Sequence, residues 1–380
     1  MTSRPYRVLH IVPGIPFGGL PKVAVDLAAE QVRQGLDVRL VSLYEGQPLI
    51  SYGASQQIEV LPTHGQSFTM AGCWQYLRYI RSWRPDICHL HLGYLWSNAL
   101  GNLVKRQPWL YHAHCSWDPP KTLKSWLVGR ATLALCDAYV GVSEFVSVSL
   151  RRHLPPGSKI YTVHNGMRLP DRPHRARVRF DGTTRYGMAT RFAADKGVLE
   201  FLAVAAEIAK LDASAHFILA GEGPLMAAAR QEAQRLGIGD RCELPGFVRD
   251  MDAFWCSLDV AVFTAPHEAF GLRLIEPMAL GVPVAAYRTG AGSDEVVEGG
   301  STALMAQWNE PVELARACVS LARDRALAAR LTDAARKAVE TRFSIDAMAR
   351  GIGEVYGRLL PEFQPIRSSG ANHQSFLRRP

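Results

Sequence analysis

The chain of 380 residues has no long uncharged apolar stretch. A membrane-spanning helix needs about 20 consecutive, predominantly apolar residues, and no segment of this sequence approaches that length. Near the N-terminus the apolar run VLHIV is too short for the core of a signal peptide and is typical of a buried strand. We therefore expect a protein that stays in the cytoplasm.

Cysteine is scarce and shows no pairing pattern. Seven cysteines are scattered along the chain, and no two of them form a CxxC motif. This pattern argues against a disulfide framework and a cysteine-based zinc site, and it favours reduced, buried thiols. The GxGxxG fingerprint of nicotinamide-binding domains is also missing from the first glycine-rich turn.

Positive charge is concentrated in the first half of the chain. Residues 1–180 hold 21 Lys and Arg against 10 Asp and Glu, a net charge of +11, whereas residues 181–380 hold 22 against 25. A basic first half favours an acidic partner such as an anionic membrane surface, a lipid phosphate or nucleic acid. A solvated basic face without any partner is the alternative.

Short apolar runs alternate with longer amphipathic segments in both halves. The pattern predicts strands at residues 7–12, 37–43, 86–92, 109–115, 138–143, 216–223, 258–266 and 282–287. Strands that alternate with helices imply parallel βαβ units in a doubly wound sheet. The sequence therefore predicts an α/β fold of two Rossmann-like doubly wound domains that face a cleft.

A break in this alternation predicts the domain boundary. Residues 168–184 are polar and rich in Arg and Pro, with no periodicity. We therefore assign residues 1–168 to an N-terminal domain and residues 185–344 to a C-terminal domain. The basic tail at 363–380 is expected to be disordered.

Two glycine-containing turns follow predicted strands. In GIPFGGLPK, Gly18 and Gly19 allow the backbone to approach a ligand closely, and the following helix start offers free N–H groups to an anion. In GEGPL, Gly221 and Gly223 leave room for a base or ribose. An ordinary turn is the alternative at both places.

Two HxH pairs end two predicted strands, His89 with His91 and His112 with His114. Alternation along a strand puts both members of a pair on one face. Neutral imidazoles are good zinc ligands, but no carboxylate or cysteine pair completes a site, so we expect no metal ion. One histidine is expected to contact a sugar hydroxyl or phosphate, and the others to be core or supporting residues.

The segment TRFAADKG places two cations, Arg191 and Lys196, between a strand and a helix. Two fixed cations at a helix start suit a diphosphate and would stabilise the charge on a departing nucleotide. Exposed loop residues without a ligand are the alternative.

The segment HEAFGLRLIEPMALG holds two carboxylates, Glu268 in a loop and Glu276 in the following helix. A buried carboxylate needs partners, and the paired hydroxyls of a ribose or hexose are suitable ones. The backbone N–H groups of Gly271 and Leu272 offer further donors. An acid/base pair of the glycoside hydrolase kind, or a Glu276 that caps its own loop, are the alternatives.

Taken in order, these motifs resemble glycosyltransferase family 4, the retaining "glycosyl transferases group 1" enzymes with the GT-B fold. The resemblance covers nearly the whole chain, through FGGLPK, PDICHLH, YHAHCS, VHNGM, RFAADKG, GEGPL, LPGFV and HEAFGLRLIEPMALGVPVAA. It implies transfer of a hexose from a nucleotide-diphosphate sugar, with UDP- or GDP-sugar as donor, to a glycan or lipid-linked acceptor in polysaccharide or glycoconjugate biosynthesis. It also implies retention of anomeric configuration without a cofactor or catalytic metal. A sugar-nucleotide epimerase on the same fold and a non-catalytic nucleotide-sugar-binding protein are the alternatives.

The resemblance further implies roles for single residues. Four side chains match the family's catalytic positions: Glu268 by the transferred sugar, Arg191 and Lys196 on the donor diphosphate, and His114 near the donor sugar. Seven residues match positions that bind the donor: Glu276 on the ribose, with Gly18, Gly19, Gly221, Gly223, Gly271 and Leu272. His112 is the open alternative to His114. The resemblance also places a helix at about 345–362 back on the first domain.

The sequence departs from the family's usual pattern at a few positions. Ala269 stands where Pro is frequent, and Thr190 where Gly is frequent. In TGAGSDEVV, Glu295 is the match to the family's glutamate.

Four basic and aromatic residues lie on or near one predicted helix: Trp117, Lys121, Lys124 and Trp126. This helix is expected to meet an anionic membrane, which would make the protein peripheral on the inner face of that membrane.

Overall fold

The computed structural model describes residues 4–12, 19–42, 47–62, 70–92, 107–116, 122–170 and 182–363. Gly18, Trp117 and Lys121 lie outside these ranges, and the side chains of Lys124 and Trp126 are likewise not described. Contacts divide the chain into two units, one of Met1–Arg168 with Ser344–Pro380 and one of Leu169–Phe343.

The first unit contains seven parallel strands: β1 (Arg7–Val12), β2 (Asp37–Ser42), β3 (Val60–Pro62), β4 (Ile87–His91), β5 (Trp109–Ala113), β6 (Ala138–Gly141) and β7 (Ile160–Thr162). They form one sheet in the order β3-β2-β1-β4-β5-β6-β7. Every residue of β4, β5 and β6 is buried, as expected for a parallel sheet covered by helices on both faces. The strand order reverses between β1 and β4, and open α/β sheets bind ligands beyond the carboxyl ends of strands at such a reversal.

Among the described residues of the first unit, five helices precede Arg168: α1 (Gly19–Arg33), α2 (Gln47–Ser55), α3 (Met70–Trp83), α4 (Leu123–Ala134) and α5 (Glu144–His153). Helix α5 begins at a Ser143 cap whose side chain accepts a hydrogen bond from Val146 N, which satisfies one of the free donors of the first turn. In the described part of the chain, no helix is both long and apolar enough to cross a bilayer.

The second unit has six parallel strands: β8 (Thr184–Ala189), β9 (Ala215–Ala220), β10 (Cys242–Glu243), β11 (Val260–Phe263), β12 (Val284–Arg288) and β13 (Leu304–Gln307). Their order is β10-β9-β8-β11-β12-β13, which reverses between β8 and β11. The described part of this unit also contains six α-helices: α6 (Val198–Leu211), α7 (Met226–Arg235), α8 (Met251–Cys256), α9 (Leu272–Leu280), α10 (Pro311–Arg323) and α11 (Arg325–Arg342).

The last helix among the described residues, α12 (Ile345–Leu359), belongs to the first unit. Ser344 caps it by accepting a hydrogen bond from Ala347 N at 3.2 Å. The helix packs on α1, where Gln31 Nε2 donates to the Tyr356 hydroxyl at 3.3 Å. Phe363 is also buried, so the packed chain extends one residue into the tail predicted to be disordered.

The cysteines differ from the expectation of buried thiols. Among the cysteines whose side chains are described, Cys88 and Cys318 are buried, Cys115 is exposed, and Cys136, Cys242 and Cys256 have intermediate exposure. The sequence pattern excluded pairing, but it carried no information on which thiols face solvent.

Candidate functional site

The charged residues predicted for the second unit follow the two strands that flank its strand-order reversal. Arg191 and Lys196 lie in the connection after β8, and Glu268 lies in the loop after β11. Lys196 Nζ donates a hydrogen bond to Glu268 Oε1 at 3.0 Å, with the two side chains 18% and 30% exposed. The fold therefore joins a cation and a carboxylate that are 72 residues apart in sequence.

Arg191 is the accessible cation of this group. Its side chain is 66% exposed, and its Nη2 lies 4.0 Å from Asp195 Oδ1. Asp195 Oδ2 also lies 3.4 Å from Lys196 Nζ. An exposed ion pair of this length contributes little stability, so the guanidinium can turn toward an anionic ligand at small cost.

Glu276 lies on α9, where its carboxylate is held by a residue that the sequence did not point to. Trp255 on α8 is fully buried, and its indole Nε1 donates to Glu276 Oε2 at 2.9 Å. The indole fixes the orientation of the carboxylate from inside the unit. A tryptophan just before an apolar strand is the only sequence signal of this contact.

The two glutamates have partners that argue against an acid/base pair. Lys and the Trp indole can donate hydrogen bonds but cannot accept them. Glu268 accepts from Lys196 and Glu276 accepts from Trp255, so both carboxylates are held as acceptors. This arrangement suits groups that bind hydroxyls better than a general acid that must donate a proton.

Gly271 lies at the start of α9 in the left-handed region, with φ 93° and ψ 52°. A β-branched or bulky residue would be strained there, and a Cβ would also lie 2.9 Å from Leu274 Cδ1. The turn aligns the N–H groups of Leu272 and Arg273, whereas the next one, Leu274 N, donates to Gly271 O at 2.9 Å. These donors lie between the two glutamates in sequence.

The turn after β9 uses its glycines for packing against its own chain. A Cβ on Gly221, which has φ 132°, would overlap the carbonyl oxygen of Thr190, and one on Gly223 would lie 2.5 Å from Phe192 O. The place of a side chain on either glycine is therefore occupied by the loop that carries Arg191, and their predicted contact with a base or ribose stays a prediction. Gly221 and Gly223 pack closely against the backbone of that loop.

Arg273 is a second residue that sequence reasoning missed. Its Nη1 donates to Thr190 Oγ1 at 2.5 Å and to Ala189 O at 3.2 Å. It thereby ties the first turn of α9 to the end of β8. Thr190, which stands where the family often has Gly, thus has Arg273 as a hydrogen-bond partner in this chain.

Two acidic segments of the second unit have structural roles. In the only Asp-x-Asp sequence of the chain, Asp250 caps α8 by accepting from Ala253 N at 2.9 Å. In TGAGSDEVV, Asp294 accepts from Gly290 N at 2.8 Å and shapes the turn. Glu295, the family match, contributes its carbonyl oxygen to Arg342 Nη2 at 3.2 Å.

In the first unit, Gly19 is exposed at the first residue of α1. Gly18 precedes the described segment, so its predicted role stays a prediction. The helix that follows begins beyond β1, on one side of the strand-order reversal of this unit.

Five histidines cluster on or just after β1, β4 and β5 of the first unit: His10, His89, His91, His112 and His114. The rings of His89 and His91 lie 4.3 Å apart, and those of His112 and His114 lie 4.4 Å apart. His10 was absent from the sequence prediction because it has no HxH partner. The fold adds it to the two predicted pairs.

One hydrogen-bonded series runs through three of these rings. His10 Nε2 contacts Gln31 Oε1 at 2.8 Å, and His10 Nδ1 contacts His91 Nε2 at 2.8 Å. His91 Nδ1 in turn contacts His114 Nε2 at 3.0 Å. His114 is the only one of the five residues that is partly exposed.

A second series contains the other two rings. His89 Nδ1 contacts the Tyr356 hydroxyl at 2.6 Å, and His89 Nε2 contacts His112 Nδ1 at 3.1 Å. His112 is fully buried, and its Nε2 has no hydrogen-bond partner among the described residues. Between His112 and His114, only His114 is thus accessible to a substrate.

Burial lowers the pKa of all five imidazoles below their usual value. The pKa of His10 falls to about 4, and neighbouring rings lower the pKa of His89, His91 and His112 further. The cluster is therefore uncharged at pH 7.

Comparisons with known proteins agree with this architecture. The family described as "Glycosyltransferase Family 4" matches residues 17–169, and that described as "Glycosyl transferases group 1" matches residues 183–324. The chain is 26% identical to the 2-deoxystreptamine glucosyltransferase of Streptomyces kanamyceticus, over 80% of this chain and 82% of that protein. It is 29% identical to the 2-deoxystreptamine N-acetyl-D-glucosaminyltransferase of Streptomyces fradiae, over 76% of this chain and 72% of that protein.

Solved structures share the fold. The crystal structure of Anabaena HepE in complex with UDP and glucose aligns with a TM-score of 0.77 at 18% identity, over 93% of this chain and 100% of that one. At that identity the likeness establishes the GT-B fold. Together with the two sequence families, it shows that the chain belongs to the family 4 glycosyltransferases, the group 1 type with the GT-B fold.

Proposed function

We propose that this glycosyltransferase moves a hexose from a nucleotide-diphosphate sugar to a glycan or lipid-linked acceptor, with retention of anomeric configuration. The Lys196–Glu268 pair beside the exposed Arg191 carries the proposal, because it sets two cations and a carboxylate at the strand-order reversal of the second unit. The complex of Anabaena HepE with UDP and glucose supports a UDP-sugar as donor, with a GDP-sugar as the second choice. A role in polysaccharide or glycoconjugate biosynthesis follows from this chemistry.

The two cations act on the leaving group. When the bond between the sugar C1 and the diphosphate oxygen breaks, negative charge grows on the diphosphate. Lys196 has three N–H donors, so it can keep its bond to Glu268 while it donates to a phosphate oxygen. Arg191, which is exposed to solvent, supplies a second positive charge. Fixed cations of this kind stabilise the developing negative charge without reorganisation.

The carboxylates hold hydroxyls. Glu268 accepts from the transferred sugar, and Glu276, oriented by Trp255, accepts from the ribose of the nucleotide. The first N–H groups of α9, from Leu272, donate to the sugar hydroxyls and phosphate. The acceptor oxygen then attacks C1 on the face that the diphosphate leaves, and its proton passes to a diphosphate oxygen.

The first unit supplies the remaining contacts of the proposal. His114 has the accessible ring of the histidine cluster and is assigned to the donor sugar. Gly18 and Gly19 are assigned to the phosphates and the acceptor. No metal ion is assigned to the transfer step itself.

The acceptor has two candidate classes. A glycan or lipid-linked acceptor fits the basic first half, which would lie on an anionic inner membrane face. A small aminocyclitol is the second class, because two relatives that align over about three quarters of this chain are named for 2-deoxystreptamine. Sedimentation with anionic vesicles at low salt tests the membrane part, and an unbound protein would contradict it.

Transfer is tested by incubating the protein with UDP-, GDP- and ADP-sugars together with polyprenyl-linked sugars or 2-deoxystreptamine. We expect one donor to release its nucleoside diphosphate and to yield a glycosylated acceptor with the donor's anomeric configuration in the NMR spectrum. Conversion of a donor into another nucleotide sugar without acceptor would identify an epimerase instead. Nucleotide binding without release from any donor would identify a binding protein.

A further inference from the structure

The histidine cluster of the first unit has the features of a metal site that its sequence pattern did not reveal. Two groups of three rings each bring one nitrogen per ring within 4.8 Å of the others: His10 with His89 and His91, and His91 with His112 and His114. The sequence did not show that the two HxH pairs meet, but the pairing of β4 with β5 places His91 opposite His112, and His10 lies opposite His89 on β1.

We propose that His91, His112 and His114 bind one first-row transition-metal ion that prefers imidazole ligands, with Zn²⁺ as the reference ion. Three histidines with an open fourth position are an established ligand set for this ion. The site is in the first unit and shares only His114 with the proposed transferase mechanism: the ion would bind Nε2 of that ring, and Nδ1 would stay available to the donor sugar.

Hydrogen bonding orients the lone pair of His91 correctly. A neutral imidazole has one N–H and one lone pair. Gln31 Oε1 accepts from His10 Nε2, so His10 Nδ1 must accept from His91 Nε2. The lone pair of His91 is therefore on Nδ1, which faces His114 Nε2.

The spacing of the ligand atoms suits a metal ion. His91 Nδ1 and His114 Nε2 are 3.0 Å apart. Two nitrogens bound tetrahedrally to zinc at about 2.0–2.1 Å lie roughly 3.3 Å apart. An ion can therefore take the place of the proton between these two nitrogens after a small increase in the distance between them. The displaced proton moves to Nδ1 of His114.

The third ligand is the buried nitrogen without a partner. His112 Nε2 has no hydrogen bond among the described residues, and an unpaired buried polar atom of this kind is costly. When His112 donates its Nδ1 proton to His89 Nε2, and His89 Nδ1 donates to the Tyr356 hydroxyl, the lone pair of His112 is on Nε2, and coordination of an ion would satisfy it. In the inner group, by contrast, both ring nitrogens of His10, His89 and His91 already take part in hydrogen bonds, so we assign the ion to the outer group.

Two of the three ligand rings are oriented by a hydrogen bond at the nitrogen that does not bind the ion. His10 contacts His91 Nε2 at 2.8 Å, and His89 contacts His112 Nδ1 at 3.1 Å. Metal-binding histidines are typically oriented by such outer contacts. The partial exposure of His114 gives the ion a way in from solvent.

Calorimetric titration of chelator-treated protein with Zn²⁺ tests the proposal, with Mg²⁺ as the hard-cation control. We expect one zinc ion per chain and no response to Mg²⁺. The variants H112N and H114N should each weaken zinc binding by more than the roughly 10–100-fold that loss of an outer contact costs. The matched control H216N, at an exposed histidine of β9, should bind zinc like the wild type.

X-ray absorption of the zinc-loaded wild type keeps the test decisive if a variant fails to fold. We expect a first shell of nitrogen and oxygen atoms only. The absence of zinc uptake, a sulfur atom in the first shell, or full zinc affinity in H114N would each overturn the proposal. The last outcome would place the ion in the inner group.

Discussion

Replacing Lys196 by Met removes the ammonium group 3.0 Å from Glu268 and keeps an unbranched side chain of similar length. Loss of one preorganised contact to developing charge costs about 10² to 10³ in kcat, or roughly 3 to 4 kcal/mol of transition-state stabilisation. The ground-state pair is partly exposed, so its loss should lower the free energy of unfolding by about 1 kcal/mol or less. We therefore expect a large loss of turnover with nearly unchanged thermal stability.

The assay is nucleoside diphosphate release at saturating donor and acceptor. Lys210 provides a matched control because it pairs with Glu207 at 2.6 Å on the outer surface of α6, and K210M should keep wild-type turnover. A K196M protein with the kcat of the wild type would refute the assignment of Lys196 to the leaving group.

The double variant K196M/E268Q refines this prediction. Residues that contact one another usually show coupling energies of about 0.5 to 3 kcal/mol. The combined loss of activity should therefore be smaller than the product of the two single losses. Purely multiplicative effects would mean that Lys196 and Glu268 act independently despite their contact.

Three further outcomes follow from the structure. The E276Q variant loses the charge-assisted bond from Trp255 and a charged acceptor for the ribose, so nucleotide affinity measured by calorimetry should fall by about 10- to 100-fold, as for a hydrogen bond of roughly 1.5 to 3 kcal/mol. The G221A variant forces a Cβ against Thr190 O at φ 132°, so the free energy of unfolding in urea should fall by about 2 kcal/mol or more. Iodoacetamide at pH 8 should modify exposed Cys115 and spare Cys88, because burial raises the pKa of Cys88 to about 12, as peptide mass spectrometry can measure.

Each of these outcomes has its own control. E207Q should leave nucleotide affinity unchanged, whereas equal affinity in E276Q would remove Glu276 from the donor site. G237A tests strain alone, because Gly237 has φ 72° with open space around it, and it should cost less than G221A. Rapid modification of Cys88 would show that the first sheet opens on the time scale of labelling.

The fold could be predicted because its signals are local or repeated. Alternating apolar runs gave the parallel strands, and the order of motifs gave the GT-B class, which the comparisons confirm. Element ends were less certain. The pattern predicts a strand at 258–266, but β11 runs only from Val260 to Phe263, because apolar residues continue past both ends of the paired segment.

The site could be predicted only in part, because its contacts are long-range. The sequence identified the charged residues of the second unit and the HxH pairs, but neither the role of Trp255 toward Glu276 nor that of Arg273 toward Thr190 leaves a local signal. His10 joins the cluster through the pairing of β1 with β4, where it lies opposite His89. At Gly221 the sequence pointed to a glycine, but it did not show that the carbonyl oxygen of Thr190 fills the place of a side chain.

The central claim is that Lys196 belongs to a donor diphosphate site in the second unit. Calorimetric titration of UDP, GDP and ADP into the wild type, K196M and K210M tests it most directly. We predict that at least one nucleotide binds the wild type and K210M alike and binds K196M more weakly. Failure of all three nucleotides to bind the wild type, or equal binding by K196M, would contradict the claim.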